Sequence, residues 1–145
     1  MRRPAAPPSA ERVAAELRRL CLSCGLCCDG SLFGRVPLEA REIEPARKAR
    51  LRLVDGGFEQ PCEALVTVGA RAGARRSCRV YRDRPAACSR FVCRLYDRHR
   101  REGGPLEPRL AAVRRARELL AAVSARDPVG LAEVSELLER DFARA

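Results

Sequence analysis

Four cysteines fall within eight residues, Cys21-Leu22-Ser23-Cys24-Gly25-Leu26-Cys27-Cys28, and no other feature restricts the 145-residue chain as far. A C-x2-C step lets two thiolates face one metal ion while the backbone between them turns over it. Glycine supplies the positive φ such turns use. Here two steps share Cys24, and Cys28 adds a fourth thiolate directly after Cys27. Adjacent cysteines rarely serve one tetrahedral ion together, so Cys27 and Cys28 are expected to face different metals, or different irons of one cluster. A second, dispersed set follows at Cys62, Cys78, Cys88 and Cys93. A thiolate metal site takes about four ligands, and each set alone is incomplete or awkward. The two sets are therefore expected to meet in space, with the grouping of ligands left open.

Incidental thiols do not cluster in this way. A disulfide framework uses the same even count, but a chain of this length can bury a core without staples. The N-terminus, Met1-Arg2-Arg3-Pro4-Ala5-Ala6-Pro7-Pro8, is basic, and Glu11, Arg12, Glu16, Arg18 and Arg19 follow it where a secretory signal needs an apolar run. The expectation is a cytoplasmic protein with reduced thiols. No stretch approaches the ~20 apolar residues of a membrane span, so no membrane partner is expected. With 46% hydrophobic and 33% charged residues the composition is globular.

The formal charge of +10 is concentrated near the cysteines. Residues 71–101 hold eleven arginines against Asp83 and Asp97. Coordination deprotonates thiols, so eight thiolates around two divalent ions leave a net negative charge. Arg79, Arg82, Arg84, Arg90 and Arg94 stand close enough in sequence to offset it. A phosphate-binding patch is the competing explanation. Aromatic residues amount to only 4% and Trp is absent, which weighs against base stacking. Nucleic acid is left open as a partner but not favoured over an unknown protein partner.

Residues 1–8 read as a disordered Pro/Ala tail. Ser9 is placed to cap a helix with Val13, Leu17 and Leu20 on one face, followed by an irregular loop over 21–37. Leu38 to Arg50 has a helical pattern that Pro45 should end or kink near Glu44. Leu65–Val68 and Cys78–Tyr81 are expected to pair as a short hairpin. Asp83 should cap a short helix with Pro85 in its first turn, carrying Cys88 and reaching towards Cys93. Past Gly103-Gly104-Pro105, Pro108–Val123 and Val129–Arg144 predict a helical hairpin from the spacing of Leu110, Val113, Leu120 and Val123 and of Val134, Leu137, Leu138 and Phe142. His99, set among Arg98, Arg100 and Arg101, reads as solvent-exposed rather than as a ligand. Tyr81 reads as a packed hairpin residue, and Glu39 as first-turn helix charge.

These residues carry a resemblance. Cys21-x-x-Cys24-Gly25-x-Cys27-Cys28 resembles the signature of the YkgJ-type CxxCxxCC family of zinc- or iron-chelating domains. Val36-Pro37-Leu38-Glu39-Ala40-Arg41-Glu42-Ile43 is similar to that family's helix start, and Pro61-Cys62-Glu63-Ala64-Leu65 to its Cys-x-Phe-Leu strand. Cys78-Arg79-Val80-Tyr81-Arg82-Asp83-Arg84-Pro85-Ala86-Ala87-Cys88-Ser89-Arg90-Phe91 resembles Cys-x-Ile-Tyr-x-x-Arg-Pro-x-x-Cys-Arg-x-Phe. The likeness covers residues 21–93 and departs at Pro37, Ala64 and Ser89, leaving every cysteine in place. It implies metal chelation, by zinc or iron and including an iron–sulfur cluster. Some relatives are linked to flagellin lysine methylation.

The expected fold is α+β and mainly α-helical: a small cysteine-rich, metal-nucleated domain over 9–104, with a short β-hairpin, and a C-terminal α-hairpin over 105–145 packed on it. The proposed metal ligands are Cys21, Cys24, Cys27, Cys28, Cys62, Cys78, Cys88 and Cys93. The function expected is a structural or redox accessory factor. The sequence has no glycine-rich phosphate or nucleoside loop and no catalytic residue stands out, which weighs against an enzyme. A small protein-modifying or methyl-transfer enzyme is the alternative, and a nucleic-acid-binding zinc module the second.

Overall fold

The computed structural model describes residues 7–69, 74–123 and 126–145. Most of the tail expected over 1–8 lies outside them, as does part of the loop joining the predicted hairpin. The architecture is a mainly helical α+β fold with six α-helices and two small antiparallel sheets among the described residues.

Helix α1 (Ala10–Cys24) starts where Ser9 accepts the Arg12 N–H at 3.2 Å. It does not stop at Cys21, as the sequence suggested. Leu17, Leu20 and Cys24 continue one buried face, so the helix runs until Gly25 ends it in the left-handed conformation, φ 65°, donating its N–H to Cys21 O. The first half of the expected loop is thus the last turn of a helix, which sets Cys21 and Cys24 on one face at i, i+3.

After β1 (Arg35–Pro37), a 3-10 turn (Ala40–Glu42) leads into α2 (Ile43–Lys48). Pro45 neither ends nor kinks α2. It occupies the first turn, where no intrahelical bond from its nitrogen is needed. Strands β2 (Leu53–Val54) and β3 (Gly57–Glu59) complete a sheet ordered β1-β3-β2. Such short strands leave no readable alternation. Gly57 is required there, because a Cβ would lie 2.2 Å from the Val36 carbonyl oxygen.

The predicted hairpin forms from β4 (Leu65–Val68) and β5 (Arg75–Cys78), with Leu65 opposite Cys78. The second strand therefore ends at Cys78 instead of starting there. Beyond it Arg79 gives its N–H to Ala64 O, and Val80 turns in against the sheet core. A 3-10 turn (Tyr81–Asp83), α3 (Ala86–Arg90) and α4 (Arg94–Glu102) follow. Pro85, not Asp83, stands at the α3 N-cap. Cys93 caps α4, its Sγ accepting the Tyr96 N–H at 3.4 Å. Helices α5 (Glu107–Ala122) and α6 (Pro128–Asp141) pack on each other, and α5 packs on α1.

Two cores result. The helical core joins Leu20, Cys24 and Leu26 to Leu95, Leu110, Val113, Ala116, Leu137 and Phe142. The sheet core holds Val36, Ala46, Leu51, Phe58 and Ala64. Among the described residues no helix is long and apolar enough to cross a membrane.

Candidate metal centre

The cysteines reach the boundary between the two cores from separate elements. Cys21 and Cys24 come from the end of α1, and Cys27 and Cys28 from the turn that follows. Cys62 precedes β4, Cys78 ends β5, Cys88 lies in α3, and Cys93 heads α4. All eight are free thiols.

Backbone bonds fix the turn after α1. Cys28 and Asp29 both donate their N–H to Gly25 O at 3.0 Å. Gln60 Nε2 donates to Cys27 O at 2.9 Å, and Cys62 N–H to Cys28 O at 2.7 Å. The helix end behind it leaves carbonyls without intrahelical partners, and two guanidinium groups take them. Arg76 donates to Ser23 O at 3.1 Å. Arg117, from α5, donates Nε to Cys24 O at 2.8 Å and Nη1 to Asp29 Oδ2 at 2.8 Å. Cations suit this end of a helix. The sequence pattern around the cysteines gave no sign of Arg117, which lies 93 positions beyond Cys24.

Cys93 is held by a segment equally remote in sequence. It forms an antiparallel bridge with Arg144, flanked by Arg94 N–H to Ala143 O at 2.9 Å and Ala145 N–H to Val92 O at 2.8 Å. Cys88 is placed by Glu42, whose carboxylate accepts the N–H of Ala86 at 2.7 Å and of Glu39 at 2.8 Å. Phe91 packs edge-on against Phe33, ring centroids 5.0 Å apart.

The thiols lie within electrostatic reach of one another. Burial first, and neighbouring thiols after it, push Cys24, Cys28 and Cys88 up to about 12 and raise Cys27 further. Burial also raises Cys21, Cys62 and Cys93, although Cys21 as a whole residue is exposed. Backbone N–H groups act in the opposite sense. The Tyr96 N–H, 3.4 Å from Cys93 Sγ, favours the thiolate there, and the nearby N–H groups of Leu26 at Cys24 and of Ala64 and Leu65 at Cys62 act in the same direction. The cations that lower these thiols are Arg84 at Cys21 and Cys88, Arg79 at Cys62 and Arg117 at Cys24. Arg90 instead pairs with Glu39, and Arg94 reaches Glu139 O on α6.

The side chains suit a thiolate-bound metal in kind: soft sulphur donors, a backbone N–H bonded to Cys93 Sγ, and the Arg84, Arg79 and Arg117 guanidinium groups nearby. Among the described residues, no three His, Cys, Asp or Glu side chains lie in position to hold an ion as they stand. An ion would have to draw the sulphurs together.

His99 corrects the sequence reading. It is 1% exposed, with Nε2 3.0 Å from Glu16 Oε2 and Nδ1 buried without a partner. It lies one turn after buried Leu95, so α4 turns it inward while Arg98, Arg100 and Arg101 point elsewhere. Tyr81, on its 3-10 turn, has the guanidinium of Arg18 4.7 Å and that of Arg84 4.0 Å from its ring centroid. Glu39 heads a 3-10 turn in a reciprocal capping box with Glu42.

Comparison with protein families, with curated proteins and with solved structures finds no match.

Proposed function

We propose that the chain is a cysteine-ligated metal-binding protein that holds zinc or iron, with an iron–sulfur cluster as one form of the iron case, and acts as a structural or redox accessory factor. The carrying observation is the gathering of free thiols from elements far apart in the sequence. Eight free cysteines from α1, the turn after it, the residues before β4, β5, α3 and α4 lie within electrostatic reach of one another. Packing alone does not call for so many thiols near one another, whereas a thiolate metal site takes about four. The YkgJ-type likeness agrees with this reading and belongs to the same proposal. Zinc would confine the role to structure or Lewis-acid chemistry, and iron would add electron transfer.

The test is elemental analysis and ultraviolet–visible spectroscopy of the full chain purified without oxygen. The expected result is zinc or iron in fixed proportion to protein, with thiols unreactive until the metal is removed. Metal-free protein that neither takes up zinc nor accepts a reconstituted iron–sulfur cluster would overturn the proposal.

A further inference from the structure

We infer that the eight cysteines divide into two four-sulphur sets, Cys21, Cys24, Cys27 and Cys93 on the helical side and Cys28, Cys62, Cys78 and Cys88 on the sheet side, each holding its own metal centre. The division rests on the metal-binding reading above and goes beyond it by assigning the ligands.

Packing separates the sets first. Cys24 belongs to the helical core and Cys93 packs against it, whereas Cys62, Cys78 and Cys88 pack against the sheet core. No cysteine is shared between the two cores. The backbone then places the remaining three. Cys21 stands one helical turn before Cys24, and Cys27 follows the Gly25 turn on the same end of α1. The 60–62 segment bonds both carbonyls of the pair, Cys27 O through the Gln60 side chain and Cys28 O through the Cys62 N–H, and only the second bond joins two cysteines, which assigns Cys28 to the sheet side. Cys62 in turn is one hydrogen bond from Leu65, and Leu65 is paired with Cys78.

The electrostatic neighbours of Cys24, Cys62 and Cys88 fall within their own sets. Cys24 is influenced by Cys93 and Cys21, and Cys27 by Cys24, Cys21 and Cys93 ahead of Cys28. Cys88 is influenced by Cys62 and Cys78, and Cys62 by Cys78. Cys21 and Cys28 stand at the boundary: among thiols Cys21 feels Cys93 and then Cys78, and Cys28 feels Cys21 ahead of Cys62, Cys88 and Cys78. The division also resolves the vicinal pair: Cys27 and Cys28 need not reach one tetrahedral ion, since each serves a different one.

Cobalt(II) titration of the reduced, metal-free full chain tests this, with cadmium-113 NMR of the wild type as a second measurement that needs no substitution. Two equivalents of cobalt with tetrathiolate absorption are expected. Cys88→Ser and Cys93→Ser should each retain tight binding of one equivalent, and the double variant should retain none. Two uncoupled cadmium resonances should appear. Saturation at one equivalent, loss of both by either single variant while the wild type shows one cadmium signal, or coupled cadmium signals from a bridging sulphur would each overturn the division and leave metal binding standing. A wild type that takes up no cobalt also overturns it. The metal-binding reading falls with it only if the chain as isolated is metal-free and accepts no cluster.

Discussion

Arg117 braces the cysteine turn from a helix far along the chain. Its guanidinium is largely buried, and it satisfies the Cys24 carbonyl and the Asp29 carboxylate together. Replacing Arg117 with Met keeps the packed stem and removes every donor, leaving a buried carbonyl and a carboxylate short of partners. Hydrogen bonds to charged groups are worth about 1.5–3 kcal/mol, and a urea midpoint should register a loss of that order, with weaker metal retention beside it. Glu42 offers a pH test. The N–H groups of Ala86, first, and Glu39 hold its carboxyl below the ordinary 4.5. A depressed folded pKa means that the stabilisation is complete above that value and disappears as pH falls through the folded one. The stability difference between wild type and Glu42→Gln should be constant near neutrality and close on acidification below about 4.5. A gap that persists in acid would show that the carboxylate charge is not what holds Ala86. At this scale the sequence was legible for identity but not for direction. His99 was misread because its cationic neighbours are adjacent in sequence, whereas the helix sets them on other faces.

The elements show a sharper boundary between what could be read and what could not. Helix α1 and the pair α5 and α6 follow from apolar spacing, since each repeats its buried face over several turns. The three-stranded sheet could not be read, because strands of two and three residues have no period, and its key position is a glycine chosen for a close backbone approach. The same contrast sets the expected response to metal loss. The sheet core has five buried members, several of them small, while the helical core joins four helices around Phe142 and Leu137. Ordering costs about 1–2 kcal/mol per residue, which so little burial offsets poorly. A structural zinc site contributes on the order of 10–16 kcal/mol in peptides. Chelation under reducing conditions should therefore erase amide protection across residues 35–90 while most helical circular dichroism remains. Protection unchanged after complete metal removal would show that the sulphurs do not hold the sheet side.

For the whole molecule, the cysteine segment and the helical hairpin share one interior. A chain cut after Gly104 leaves Leu20, Leu26 and Leu95 without Leu110, Val113, Leu137 and Phe142, and leaves Cys24 O without Arg117. Such a fragment should be aggregation-prone and should lose protection in α1 as well as in the missing helices. A soluble fragment with native α1 protection would show that the hairpin is dispensable. The candidate site was legible as a set of eight residues, because spacing exposes cysteines directly. Its supports were not, since Arg117 and the segment around Arg144 carry no motif and meet the site only through long-range packing.

The bridge between Cys93 and Arg144 also bears on the order of events during synthesis. Cys28, Cys62, Cys78 and Cys88 have all been made once α3 is complete, and among the described residues no later segment is hydrogen-bonded to their backbone. Cys93 waits for a backbone partner translated long after it. The chain made through α3 therefore carries every cysteine but Cys93 before the C-terminal residues that fix Cys93 in place exist.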